Sequence, residues 1–231
     1  MKNLILIALA ISILQVVNAQ EAEIGNKVIL GGSINFLTQN NTYPLSGTFI
    51  ITGLRGIYSN NTNNTRNTTF TISPYIGKEI NPNLIVGLQF DYGIDRYKAE
   101  DVYIFGQPDS VDIKNNSNQI GFGIFTRHIL NPDGKFNFYI QPYLEYNLLS
   151  EEDIQDANVI QERKANYLEV GVGLGMLYNI NSKIRATLKT GGINYVNGSW
   201  EIKNTDTSKK FSSFGTNLNL STIYFGLEIR I

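Results

Sequence analysis

The chain has 231 residues, of which 42% are hydrophobic and 17% charged, with 21 glycines, 13 tyrosines, 12 phenylalanines and no cysteine. This length suits one good-sized domain, and a formal net charge of −1 supplies no basic field that would hold nucleic acid. The lack of cysteine excludes disulfide scaffolds, thiolate metal sites, cysteine nucleophiles and a lipidated-cysteine anchor.

Residues 1–19 have the pattern of a secretory signal peptide. A positive start at Lys2 is followed by an apolar run over 4–17, and Ala19 is the small residue expected before a cleavage point. The run is shorter than the roughly 20 apolar residues that a spanning helix needs. We therefore expect 1–19 to be removed on export, 20–26 to form a short periplasmic segment, and 27–231 to form the folded domain.

Eight segments alternate apolar and polar residues with a period of two, which predicts strands with one apolar and one polar face. In the clearest one, 84–94, the polar parity holds Gly87, Gln89, Asp91 and Gly93, and Ile85 is its apolar exception. The eight segments cover residues 28–36, 69–76, 84–94, 119–127, 136–148, 168–179, 184–195 and 223–231.

Three positions interrupt these patterns. The glycine pair at 191–192 shifts the parity of the seventh segment and predicts a β-bulge there. Pro74 and Pro142 each remove a ladder hydrogen bond, so we expect a bulge or locally weakened pairing at both.

The connections between segments alternate in length. Tight turns are predicted at 81–83, 131–134 and 181–182 from their Asn, Pro, Asp, Gly and Ser residues. Long polar loops are expected at 39–67, 96–117, 149–165 and 197–212. Short turns at one end and long loops at the other are typical of an outer-membrane barrel, with its turns on the periplasmic side.

The bulk of the two faces distinguishes a membrane barrel from a soluble one. The polar parity is rich in Gly, Ser, Thr and Asn, and the apolar parity in Leu, Ile, Val and Phe. An eight-stranded interior is only just wide enough for side chains, so the small polar residues fit the inside and the large apolar ones fit lipid. The sequence predicts an all-β fold, an eight-stranded antiparallel up-and-down transmembrane β-barrel with short periplasmic turns and long extracellular loops.

Three stretches resemble the strands of a known group. Residues 27–36 (KVILGGSINF) look like its first strand, and 69–77 (TFTISPYIG) with 81–88 (NPNLIVGL) look like its second and third. The group is that of the small outer-membrane β-barrel proteins (porin family, outer membrane protein β-barrel domain), similar in architecture to OmpX and the OmpA membrane domain. The resemblance implies a monomeric protein in the outer membrane of a Gram-negative cell envelope, surrounded by lipid and lipopolysaccharide.

The last residues resemble the signal read by the outer-membrane barrel assembly machinery. Tyr224 is followed by Gly226 and then by hydrophobic residues at Ile229 and Ile231. The chain departs from the commoner pattern by ending in Ile rather than Phe. The resemblance implies that the assembly machinery is a partner during biogenesis.

Charged residues on the polar parity are the candidate functional residues. In a narrow lumen such charges must be paired, because an unpaired buried charge costs several kcal/mol. We expect a network of ion pairs that plugs the barrel; a channel would use the same residues as a gate. The predicted members are Asp91, Arg127, Glu145, Glu169, Arg185, Lys189, Glu228 and Arg230.

Three other features of the sequence give weaker evidence for a function. The glycines at 171, 173 and 175 share the inner face of a strand rather than forming a phosphate-binding loop, and His128 falls on the lipid-side parity. The acidic residues Glu151, Glu152, Asp153 and Asp156 suggest either a solvated loop or a divalent cation site near lipopolysaccharide.

The sequence therefore predicts an outer-membrane barrel with a structural or surface-interaction role, and no catalytic, metal or cofactor site. The alternatives are a narrow passive porin, a lipid-modifying outer-membrane enzyme and a soluble periplasmic ligand-binding barrel.

Overall fold

A computed structural model describes residues 27–41, 64–103, 110–205, 207–216 and 223–231 of the chain. The predicted signal peptide, the segment 20–26 and most of the predicted loop 39–67 lie outside the described residues. No helix among the described residues is long and apolar enough to span a membrane.

The described residues form one antiparallel sheet. Its nine strands are β1 (Val28–Asn41), β2 (Asn64–Asn81), β3 (Leu84–Tyr103), β4 (Ser110–Ile129), β5 (Phe136–Gln155), β6 (Asn158–Asn179), β7 (Ile184–Ile202), β8 (Ser208–Thr216) and β9 (Tyr224–Arg230). From β1 to β7, each strand pairs with the next one along the chain.

The sheet closes into a ring through its last strands. β7 pairs with β9 over Ile184 to Lys189 and with β8 over Ile193 to Glu201, so β8 and β9 together fill one position. β9 pairs in turn with β1, where Val28 and Ile231 exchange backbone hydrogen bonds of 3.0 and 2.8 Å. The predicted eight-stranded up-and-down antiparallel barrel is confirmed, with its eighth position divided between two strands.

Short turns gather at one end of the barrel, as predicted. Two residues join β2 to β3, residues 130–135 join β4 to β5, and 180–183 join β6 to β7. Asn131 and Asn181 support their turns by accepting backbone N–H groups, for example that of Phe138 at 2.9 Å and that of Ile184 at 2.8 Å.

The predicted boundaries at the opposite end were wrong. Much of 96–117, 149–165 and 197–212 is strand, and only Asp156 and Ala157, both with positive φ, separate β5 from β6. Beyond the apolar part of the barrel both faces of each hairpin carry many polar residues, so the period-two apolar signal ends before the strand does. The wall of the barrel therefore continues well past the apolar part.

The predicted irregularities are present. The β6–β7 register shifts between Gly173 and Leu174, which leaves Gly191 as the extra residue of the bulge. At Pro74 the β2–β3 pairing skips from Ile72 to Tyr75 without a change of register, and at Pro142 the β4–β5 ladder has a similar gap. The pairing is weakened at both prolines, and neither forms a bulge.

Large apolar side chains form a belt around the outside of the barrel. Along β3 the outward apolar parity runs from Leu84, which its neighbours cover, to Ile94. At about 3.4 Å per residue and about 40° of tilt this gives the belt a height of about 25 Å. Its most exposed members include Ile34, Phe36, Leu88, Phe122, Ile124, Phe136, Phe138, Phe225 and Leu227.

The interior is polar in its middle and apolar at the end of the short turns. A buried cluster there contains Ile29, Ile85, Phe125, Ile129, Tyr139 and Leu177. Ile85, the apolar exception on the polar parity of its segment, is fully buried in this cluster. We call these six residues the apolar base, because they fill the lumen at the turn end.

Candidate functional site

Glu228 is the centre of the charges next to the apolar base. Its Oε2 accepts hydrogen bonds from Arg127 Nη1 at 2.7 Å and from the Tyr75 hydroxyl at 2.5 Å, while its Oε1 pairs with Arg185 Nε. All of this lies inside the barrel, and the Glu228 side chain is 0% exposed. Arg127 on β4 thus reaches the β9 carboxylate across the lumen, while Arg185 holds it from the adjacent strand β7.

Arg127 is fixed by more than its ion pair. Its Nε donates to Gln141 Oε1 at 2.9 Å. Its guanidinium carbon lies 4.5 Å from the ring centre of Tyr139 and 5.0 Å from that of Tyr75. Guanidinium groups stack well on aromatic rings, so Arg127 joins the charge cluster to the apolar base.

Arg230 lies beside this cluster, close to Arg185, but has its own ion-pair partner. Its Nε lies 3.2 Å from Glu79 Oε2, so its partner is a residue that the sequence analysis did not select. Glu79 lies on the inner parity of β2, three residues beyond the end of the predicted segment 69–76. Extending that segment by three residues would have identified Glu79 as an inward-facing charge.

Asp91, Glu145 and Glu169 lie at a second level, farther from the short turns. Gln89 Nε2 donates to Glu145 at 2.7 Å and to Asp91 at 3.0 Å. Glu169 accepts the Tyr143 hydroxyl at 2.6 Å and Asn194 Nδ2 at 2.9 Å. These three carboxylates are therefore held largely by neutral hydrogen-bond donors.

Lys189 is the cation at this second level. Its Nζ lies 5.6 Å from the ring centre of Tyr143 and 5.9 Å from that of Tyr224. Together with the three carboxylates, it lines a cavity of about 200 Å³ in the lumen. The structure thus brings the predicted charges together at two levels. Glu228, Arg127 and Arg185 form the first, and the four charges around the cavity form the second. Arg230 pairs with Glu79 instead.

Glycines on neighbouring strands leave the space that the inward-facing aromatic rings occupy. Each of four rings stands directly opposite a glycine on the neighbouring strand: Tyr75 on Gly31, Phe125 on Gly87, Tyr139 on Gly175 and Tyr143 on Gly171. A Cβ at Gly171 would lie 2.5 Å from the Tyr143 ring. The inward-facing glycines at 171, 173 and 175 are as predicted; the tyrosines that Gly171 and Gly175 accommodate were not among the predicted site residues.

The predicted assembly-signal residues form the closing strand. Ile229 and Ile231 belong to the apolar belt, whereas Gly226 stands opposite Ser33 of β1 and Thr187 of β7. A Cβ at Gly226 would collide with the Gly32 carbonyl. The final strand thus needs glycine at this position for close pairing with β1.

The acidic stretch 151–156 lies mostly on β5 rather than in a loop. Arg163 on β6 pairs with Asp153 and lies 3.5 Å from Glu151, and Asn115 Nδ2 donates to both acids at 2.6 Å. Within the described ranges, no group of three His, Cys, Asp or Glu residues is arranged to hold a metal ion. The hairpin therefore has its own ion-pair cluster beyond the belt.

His128 lies on the outer parity, as predicted. Its Nε2 is 3.2 Å from Thr126 Oγ1, next to the turn that joins β4 to β5.

No protein-family model matches the chain. No curated protein matches it. Among solved structures it is similar to Neisserial surface protein A, at 13% identity and a TM-score of 0.39, over 91% of this chain and 100% of that one. It is also similar to the outer membrane protein OprG from Pseudomonas aeruginosa, at 12% identity and a TM-score of 0.45, over 90% of this chain and 97% of that one. A third is a major outer membrane protein from Thermus thermophilus, at 10% identity and a TM-score of 0.40, over 89% of this chain and 99% of that one.

The chain has the fold of a small outer-membrane β-barrel. The closed ring, the apolar belt, the polar lumen and the short turns at one end together define that fold.

Proposed function

We propose that this chain is an integral protein of the bacterial outer membrane, exported through its signal peptide, with a structural or surface-interaction role. The observation that carries the proposal is the apolar belt of about 25 Å on the outside of a closed barrel with a polar lumen. A water-soluble barrel would bury these side chains, since a patch of this size exposed to water favours association.

The lumen is proposed to be closed rather than conducting. The apolar base fills the end near the short turns, and the Glu228 cluster lies directly against it through Arg127. A narrow passive porin is the alternative, with the cavity lined by Asp91, Glu145 and Glu169 as part of its path.

The proposed partners follow from the membrane placement. Outer-membrane lipid and lipopolysaccharide surround the belt, and the barrel assembly machinery reads Tyr224, Gly226, Ile229 and Ile231 during biogenesis. We propose a monomer, because the ring closes within one chain and leaves no open barrel edge at the level of β9.

A role without catalysis is part of the proposal. Mass spectrometry of lipid A from a deletion strain tests this part, and an altered acylation pattern would favour a lipid-modifying enzyme instead.

Cell fractionation with heat-modifiable gel migration tests the placement. A closed membrane barrel kept unheated in SDS migrates faster than its boiled form, and it should be found in the outer-membrane fraction. Recovery in the periplasmic fraction would contradict the proposal and favour a soluble ligand-binding barrel.

A further inference from the structure

A group of cations lies on the outer surface of β2, β3 and β4, just beyond the apolar belt. We call Arg66, Arg96, Lys98 and Lys114 the basic sector. We infer that the basic sector binds the phosphate groups of an outer-leaflet lipid. This inference rests on the proposed membrane placement and adds a defined lipid site to it.

The strand register places three of these cations side by side. Arg66 is directly opposite Lys98, and Lys98 is directly opposite Lys114. Like charges at directly opposite positions destabilise a sheet, so an anion at this surface would be stabilising. Lys98 pairs with Glu100 and also lies near Asp112, but neither Arg66 nor Lys114 has an ion-pair partner among the described residues.

Arg96 is already oriented by β4. Its Nη1 donates to the Ser117 carbonyl at 2.7 Å and its Nη2 to Asn118 Oδ1 at 2.9 Å. Its Nη1 also donates to the Asp95 carbonyl at 3.0 Å, so the Nε–H and one N–H of Nη2 have no hydrogen bond among those named and lie beside the three aligned cations.

The height of the sector matches a lipid headgroup. Arg66 is four residues beyond Phe70, and Lys98 is four residues beyond Ile94, the residues at which the belt ends on β2 and β3. At the rise and tilt of barrel strands, four residues correspond to about 10 Å above the hydrocarbon edge. Headgroups occupy this layer, and long basic side chains can reach down toward it.

The surface below the sector fits acyl chains. Phe90 and Phe122 pack with ring centres 4.9 Å apart, and Leu88 and Phe122 are each about 60% exposed. Cations directly above an exposed apolar surface match an amphiphile with a phosphorylated head better than a soluble anion.

The next strands around the barrel, β5 to β7, carry carboxylates at a similar distance beyond the belt. Glu152 lies directly opposite Glu162, and Lys164 lies directly opposite Glu201. Lys203 pairs with Glu162, which raises the pKa of that lysine through their hydrogen bond. Lys164, a cation set among carboxylates on the same outer face, is therefore a matched control for the aligned cations of the basic sector.

Binding of a defined lipid to the purified full-length barrel in detergent tests the inference. The probes are bis-phosphorylated lipid A, its dephosphorylated form and inorganic phosphate, with bound lipid counted by native mass spectrometry. The double variant Arg66→Gln/Lys114→Gln should bind bis-phosphorylated lipid A on the order of tenfold more weakly, since each cation near a charged surface contributes to binding. Lys164→Gln should stay within about twofold of the wild type, because carboxylates flank it.

Three results would overturn the inference: an unchanged affinity of the double variant, equal losses in the control, or equal affinity of the wild type for dephosphorylated lipid. Competition by millimolar inorganic phosphate alone would indicate a free-phosphate site instead and would also overturn it. Heat-modifiable migration of each variant verifies the fold, and Lys114→Gln alone provides a milder second variant. A wild-type protein that never forms a heat-modifiable barrel would contradict the proposed function, which is a different outcome from loss of lipid binding.

Discussion

Glu228 and Arg127 meet inside the barrel at 2.7 Å, although they lie 101 residues apart in the chain. Their side chains are 0% and 3% exposed, and Arg185 pairs with the same carboxylate from the next strand. This contact joins the closing strand β9 to β4, across the lumen.

Replacing Glu228 with Gln should strongly destabilise the barrel. The change leaves Arg127 and Arg185 buried without a counter-charge, and breaking a buried pair from one side costs about 3–5 kcal/mol. Urea unfolding of the protein in phospholipid vesicles, followed by heat-modifiable migration, measures the free energy of unfolding.

Glu162→Gln is the control for that variant. Its ion pair with Lys203 is exposed, and exposed pairs contribute about 0–1 kcal/mol. Equal effects of the two variants would show that the Glu228 cluster is not the structural centre of the lumen.

Replacing Gly175 with Ala should destabilise the barrel, whereas Gly173→Ala should not. A Cβ at Gly175 would meet the Tyr139 ring and would lie 2.6 Å from the Leu188 carbonyl, while a Cβ at Gly173 would be 3.5 Å from its nearest neighbour. Overpacking of this kind costs about 1–3 kcal/mol, against about 0.5 kcal/mol or less for an ordinary contact. The same unfolding assay compares the two, and equal stability of both variants would mean that Tyr139 does not depend on the space at Gly175.

Replacing Arg163 with Gln should loosen the β5–β6 hairpin beyond the belt. Glu151 and Asp153 would then be left near each other without their shared cation. Amide hydrogen exchange should become faster in that hairpin, while the belt strands keep their protection. Lys203→Gln, on an exposed pair, is the control; faster exchange spread evenly over the barrel would contradict a local role for Arg163.

Much of this fold could be predicted from the sequence because lipid enforces a period of two. Wherever one face of a strand forms part of the belt, as from Leu84 to Ile94, the alternation of apolar and polar residues located the strand and its inner residues. Gly191 and Pro142 were also predictable, since a glycine pair and a missing N–H act locally.

Where the apolar signal ended, sequence reasoning became less accurate. The upper strands around Glu151 and Arg163 read as loops, because polar residues outside the membrane show no apolar alternation. Side-chain partners across the lumen could not be predicted from the sequence either. The contact between Glu228 and Tyr75 depends on barrel geometry, in which strands far apart in sequence face one another.

Current through the purified wild-type protein in planar bilayers tests the closed lumen most directly. Heat-modifiable migration first verifies that the inserted protein is folded, so that a silent trace reports a closed barrel. A closed lumen predicts no stable single-channel steps. Stable steps of defined size that disappear in Glu145→Gln or Arg127→Gln would contradict it and make the same residues the gate of a channel.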